Sequence, residues 1–311
     1  MKEFKGRMAI ITGAASGLGA ALAEVGASLG MRLVLADVDE VSLQEVARRL
    51  EGRADVTAVR CDVADSASVE ALAAHASATF GPAHLLFNKA GATGGGGFAW
   101  ENRLKDWKWG LGVNLWGVIH GIHHVVPKMV QAALEDPDYE GHVVNTSSMA
   151  GFFNPPIMSV YNASKQAVTA ISETLHHDLD IAGVRIGCSV LAPFFVSTNI
   201  DQSEGHRPTS LRYEASLTAS QLKLQQLSEA GMGSGRLTAH DVATMTFEAI
   251  REQRFYVFPH PRMLQSVERR MNAILRQEAP VDPFAFRPAI YQAPKQELAL
   301  VPATDPAELD S

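Results

Sequence analysis

Short continuous apolar blocks alternate along this chain with longer stretches in which apolar residues recur every three or four positions. The first block, residues 8–12, ends in a glycine-rich turn, Gly13-Ala14-Ala15-Ser16-Gly17-Leu18-Gly19, and a helical pattern follows through Leu22, Val25 and Leu29. Blocks at residues 33–36, 57–61, 85–87, 142–145, 186–191 and 255–258 read as further strands. Helical patterns over 41–50, 66–80, 104–134 and 240–251, and one through Val168, Ile171, Leu175 and Leu179, separate them. Strands that are apolar throughout, each followed by a helix, belong in a parallel sheet covered on both faces. The expected fold class is α/β, a doubly wound parallel sheet of about seven strands.

Three stretches depart from this rhythm. Residues 94–97 are a glycine run that reads as flexible. Residues 197–235 are polar and weakly helical, ending in Gly231, Gly233 and Gly235, which suggests a mobile cover with a glycine hinge. An inert surface insertion is the alternative. Beyond residue 260 a helix over 263–276 leads to a proline-studded tail with no periodic signal, expected to wrap a neighbour or lie loose. The organisation expected is one catalytic domain over 1–260, with a C-terminal helix and extended tail over 261–311.

The formal net charge of −7 argues against nucleic acid or an anionic membrane surface as the main partner. The two cysteines, Cys61 and Cys188, fall in strand-like runs and suit a reducing compartment. The apolar run before Gly13 is too short for a signal-peptide core or a membrane span, and none long enough for a span follows. A soluble, cytoplasmic protein is expected.

Candidate chemistry appears first at the glycine turn. A strand, a glycine turn and a helix start together present unpaired amides and a positive dipole end to an anion such as a pyrophosphate. Asp37 then ends the second strand, near the ~20-residue spacing at which a carboxylate takes up adenosine ribose hydroxyls. Such a carboxylate repels a 2′-phosphate, and no Arg or Lys lies in the turn or just after Asp37. NAD is therefore favoured, with NADP the alternative. Asp62, after the third strand, either meets the adenine or caps the next helix, and Asp37 carries the same capping alternative.

Tyr161-Asn162-Ala163-Ser164-Lys165 opens a helical run. Positions four apart share a helix face, so the Tyr161 phenol and Lys165 ammonium can point into one site. A nearby cation is expected to lower the phenol from its usual ~10 towards the range useful for proton transfer.

The series Thr12-Gly13-x-x-x-Gly17-x-Gly19, Asp62-Val63, Asn88-x-Ala90-Gly91, Asn114, Ser148 and Tyr161-x-x-x-Lys165 resembles the short-chain dehydrogenase/reductase family over residues 5–260. The resemblance implies a Rossmann-type domain and hydride transfer between a nicotinamide cofactor and a carbonyl or alcohol. It implies that Tyr161 transfers the proton, Ser148 holds the substrate oxygen, Lys165 binds the nicotinamide ribose, and Asn114 holds a water linking the lysine to solvent. Ser148, not Ser147, lies thirteen positions before Tyr161, as the family pattern requires. Implied cofactor contacts are Gly13, Ser16, Gly17, Leu18, Gly19, Asp37, Asp62, Val63, Asn88, Ala90, Gly91, Tyr161, Lys165, Pro193, Val196 and Thr198. The chain departs from the family twice. The usual Asn-Asn-Ala-Gly reads Asn88-Lys89-Ala90-Gly91, with Lys89 expected to point to water, and the usual Pro-Gly after strand six reads Pro193-Phe194.

Aromatic and apolar residues offer a substrate wall: Met149, Phe152, Phe153, Phe194 and Phe195, with Tyr213 on the cover and Phe98 and Trp100 nearby. A bulky ketone or secondary alcohol is expected, aryl-substituted ones included. His120, His123 and His124 share one helix, yet no carboxylate or cysteine completes a metal set, so they read as a packed helix face. The resemblance implies a homodimer or homotetramer through the long helix and the Tyr161 helix. Competing readings are an NADP-preferring carbonyl reductase and a catalytically silent dinucleotide-binding sensor or scaffold.

Overall fold

The computed structural model describes residues 1–196, 200–213, 216–233, 237–285 and 288–299. The chain begins β1 (Met8–Thr12), α1 (Gly17–Ser28), β2 (Arg32–Asp37), α2 (Glu40–Leu50), β3 (Val56–Arg60), α3 (Ser66–Phe80) and β4 (Leu85–Asn88). It continues α4 (Leu104–Leu111), α5 (Gly117–Glu135), β5 (Gly141–Thr146), α6 (Ala150–Phe153), α7 (Ser159–Ile181) and β6 (Ile186–Leu191). The last elements are α8 (Ala219–Gly233), α9 (Ala239–Arg251), β7 (Tyr256–Val257), α10 (Leu264–Leu275) and α11 (Pro288–Glu297).

The seven strands form one sheet in the order β3-β2-β1-β4-β5-β6-β7, every pair parallel. Chain order reverses between β1 and β4, so the connections leaving their C-terminal ends diverge and open a crevice there. Such a switch point is where open α/β sheets bind ligands.

All five residues of β1 and all four of β4 are buried, as strands covered on both faces require. On one face Leu22, Val25, Phe247 and Ile250 of α1 and α9 pack over β1 and β4, with Phe247 tilted on Phe87 and edge-on to Phe4. On the other, Val69, Leu72, Val125, Met129 and Leu175 of α3, α5 and α7 cover Ile10, Leu86 and Val143. Cys61 and Cys188 are free and buried in that second layer. Among the described residues no helix is long and apolar enough to cross a membrane.

Four expectations need correction. The helix over 104–134 is interrupted by one widened π turn, Gly112–Trp116, a feature that periodicity does not reveal. The glycine run 94–97 is a packing bed rather than a slack link. A Cβ on Gly96 would lie 2.1 Å from Leu224 Cδ2, and one on Gly97 would lie 2.6 Å from Ser220 Oγ, so α8 sits directly on it. Gly231 lies inside α8, where a Cβ would meet the Phe195 ring at 2.4 Å; it permits close packing and is no hinge, while Gly235 falls outside the described residues. The described part of the tail includes α11, which packs on α8, with Lys223 paired to Glu297 and Leu298 buried.

Candidate active site

Two adjoining cavities fill the crevice. The first, of about 730 Å³, is lined by Gly13, Ser16, Gly17, Asp37, Asp62, Val63 and Ala90. The second, of about 750 Å³, has Ser148, Tyr161 and Lys165 in its wall beneath residues 200–213 and 217–229. Lys89 and Gly91 line both.

The first cavity is shaped by backbone. Gly13 holds φ +67°, and a Cβ there would lie 2.8 Å from Ala90 Cα. A Cβ on Gly19 would lie 1.9 Å from Gly13 O, so Gly19 sets the turn by having no side chain. Ser16 stands at the cap position of α1 but its hydroxyl caps nothing, and the first turn of α1 carries no acid. The first amides of α1 thus remain available to an anion. Asp37 accepts from Ala15 N at 2.9 Å and from Asp39 N at 3.1 Å, which ties it to the glycine turn. The capping alternatives fall away, because Asp39 caps α2 through Ser42 N and Asp65 caps α3 through Ala67 N. A dinucleotide fits these residues: its diphosphate against the turn amides and its adenosine ribose against Asp37.

The second cavity gathers its groups from three elements. Ser147 and Ser148 follow β5. Ser147 turns inward, donating to Lys165 O at 2.7 Å, whereas Ser148 donates to Pro193 O at 3.4 Å and accepts from Ala150 N at 3.2 Å, close enough to Tyr161 to act on its phenol. The preceding loop brings Ile157 to φ +56°, a conformation rare for a β-branched residue. Lys165 lies one turn beyond Tyr161 on α7, its Nζ 5.6 Å from the phenol ring centroid and donating to Thr146 O at 2.9 Å.

Electrostatics here run against the expected acidified phenol. Burial pushes the Tyr161 phenol above its ordinary value, only partly offset by the Ser148 hydroxyl. Lys165 falls to about 7, first through its own burial and then through repulsion from Lys89. The cation that was expected to acidify the phenol is itself desolvated, so burial dominates both groups. Tyr161 is consequently protonated at neutral pH and poised as a donor.

Asn114 is buried inside the π turn and its amide is fully engaged. It accepts from Ala92 N at 2.8 Å and donates to Ala92 O and to Ser164 Oγ, while Ser164 donates to Tyr161 O. Its side chain ties Ala92 to the Tyr161 turn, and its Oδ1 and Lys165 Nζ both approach Gly91, where a Cβ would lie 3.3 Å from the first and 3.6 Å from the second.

Several sequence-derived contacts lie elsewhere. Asn88 points away from the crevice, donating to Asn145 Oδ1 at 2.9 Å and lying so near α5 that a Cβ on Gly121 would be 2.1 Å from its Oδ1. Strand alternation turns the next residue, Lys89, towards the crevice instead of solvent. Met149 and Phe152 are core, Phe152 packing edge-on to Phe258, and neither lines a cavity. Trp100 is 61% exposed and stacks on Phe98 outside the crevice. Phe153, Phe194, Phe195, Tyr213, Leu18, Pro193 and Val196 do line the second cavity. Thr198 lies outside the described residues. His120 meets Val63 O and His124 meets Ser66 Oγ, which fastens α5 to the α3 side.

Sequence reading missed how the cover is held. Arg207 and Asp106, 2% and 0% exposed, form an ion pair at 2.7 Å with the Arg207 guanidinium over the Trp109 ring. Glu101, also buried, accepts from Ser220 and from Thr218 at 2.9 Å. These partners lie about a hundred residues apart, and only the polar character of 197–235 hinted at them.

Comparison with known proteins agrees with this geometry. Residues 7–208 match the family model described as short chain dehydrogenase. A short chain dehydrogenase/reductase from Burkholderia phymatum, solved in complex with NAD, is 50% identical with a TM-score of 0.88, covering 91% of this chain and 99% of that one. A CLA biosynthesis dehydrogenase/reductase from Lactiplantibacillus plantarum is 33% identical over 90% of this chain and 97% of that protein. A C alpha-dehydrogenase from Sphingobium sp. is 28% identical over 91% of this chain and 90% of that protein. The chain is an oxidoreductase belonging to the short chain dehydrogenase family.

Proposed function

We propose that this protein interconverts a bulky, hydrophobic secondary alcohol and its ketone with NAD as cofactor, Tyr161 exchanging the proton. The observation that carries the reading is the Ser148 hydroxyl, Tyr161 phenol and Lys165 ammonium meeting in the wall of an apolar cavity that opens into a glycine-shaped one. The bound nicotinamide supplies or accepts the hydride. Ser148 and Tyr161 offer two hydroxyl donors to the oxygen on which negative charge grows during reduction, and Lys165 lends positive charge beside them. A phenol held above its ordinary pKa keeps its proton at neutral pH and can release it to that oxygen. Asn114 acts by position, holding the Tyr161 turn through Ser164.

Asp37 supports NAD over NADP, and the NAD complex of the Burkholderia protein supports the same choice. Phe153, Phe194, Phe195 and Tyr213 favour a large apolar substrate over a small one. We read residues 1–260 as the catalytic unit, with α11 packed on α8 of the cover and α10 on α6, and expect a symmetric pair through α5 and α7, where Leu134 and Ile181 are exposed.

Steady-state oxidation of NADH and NADPH with acetone and with aryl alkyl ketones tests the reading. The expected result is turnover of the aryl ketones with NADH, slower with NADPH. Equal or better use of acetone would remove the bulky-substrate assignment, and a preference for NADPH would overturn the role given to Asp37.

A further inference from the structure

Lys89 is the one residue where the chain breaks the family's Asn-Asn-Ala-Gly pattern and the break faces the crevice. We propose that its ammonium pairs with the diphosphate of the bound dinucleotide, adding a cation to a site otherwise made of backbone amides. The inference rests on the nucleotide reading above and deepens it.

Three observations carry it. Lys89 lies immediately beyond β4, its N–H donating to Thr12 Oγ1 at 3.0 Å, and a Cβ on Gly13 would lie 3.3 Å from its carbonyl carbon. Its backbone is thus fixed against the glycine turn. Lys89 lines both cavities, and its ammonium interacts electrostatically with Asp37 on one side and Lys165 on the other. Among the described residues no carboxylate is in contact with it. Burial pushes the Lys89 ammonium below its ordinary pKa, and Asp37, its own oxygens taken by Ala15 and Asp39, offsets this only in part from farther off.

A half-buried ammonium without a contacting anion is costly, and the site asks for one. A dinucleotide with adenosine at Asp37 and nicotinamide at Tyr161 carries its diphosphate between the two, where Lys89 stands. An anionic substrate group would instead call for a cation confined to the Tyr161 cavity. A contact pair with Asp37 would have left Lys89 in the first cavity alone.

The test is direct binding to the full chain, without substrate, of ADP-ribose and of adenosine, measured by calorimetry at low and high salt. The expected result for Lys89→Asn is about tenfold weaker ADP-ribose binding, typical for loss of one hydrogen bond to a charged group, with a shallower salt dependence and adenosine unchanged. Lys89→Arg should retain most of the affinity. Unchanged ADP-ribose binding in Lys89→Asn, or an equal loss for adenosine, overturns the proposal while leaving the nucleotide site standing. A wild-type protein that binds no ADP-ribose overturns both.

Discussion

The two cavities of the crevice solve the same problem, holding a small molecule in place, by opposite means. At the nucleotide side, backbone does the work: Gly13 and Gly19 bring the turn against the loop after β4, and the uncapped start of α1 faces the space. At the substrate side, side chains from distant segments close over the space. The cover is held by two buried polar latches, Arg207 on Asp106 and Ser220 on Glu101. The first arrangement tolerates almost no change in backbone, and side-chain identity matters there at Asp37 and Lys89. The second depends on which charges are buried, so its cost and its specificity are set by individual residues.

Gly19→Ala breaks the backbone side most severely. Its Cβ would stand 1.9 Å from Gly13 O, so the turn must open. NADH affinity measured by fluorescence should fall roughly 100-fold, the upper end of overpacking strain, and a change below threefold would mean that the turn does not bind the cofactor. Asp106→Ala breaks the side-chain side by leaving the buried Arg207 with the half-exposed Glu204 as its remaining carboxylate. Truncating one half of a buried pair costs about 3–5 kcal/mol, enough to loosen the cover before the sheet. Faster hydrogen exchange in α8 and a raised KM are expected, with NADH affinity nearly unchanged. Exchange confined to its wild-type rate would show that the latch does not hold the cover.

The same contrast explains what the sequence disclosed. The strands and the glycine turn were legible because continuous apolar blocks and local glycine spacing encode them within a few dozen residues. Ser148, Tyr161 and Lys165 were legible through spacing on α7 and the loop after β5. Asn88 was misassigned because a motif marks a residue without saying which face of the strand it occupies; strand alternation sends Asn88 to α5 and Lys89 to the crevice. Met149 and Phe152 were misassigned because apolar side chains beside a cleft look alike in sequence whether they face it or the core. The acidified phenol failed for an electrostatic reason: proximity of Lys165 is visible in the spacing, but the burial that weakens it is not. The glycine run 94–97 read as slack because its packing partner, α8, begins more than a hundred residues later.

The most direct test of the account is Tyr161→Phe, which removes the phenol oxygen and little else. Ketone reduction by NADH should fall by about 10²–10⁴-fold, while NADH affinity stays within about twofold of wild type. In the wild-type enzyme, alcohol oxidation should rise with pH as the buried phenol yields its proton, and this rise should vanish in the variant. Turnover within tenfold of wild type, with the pH rise intact, would contradict Tyr161 as the proton-transferring group.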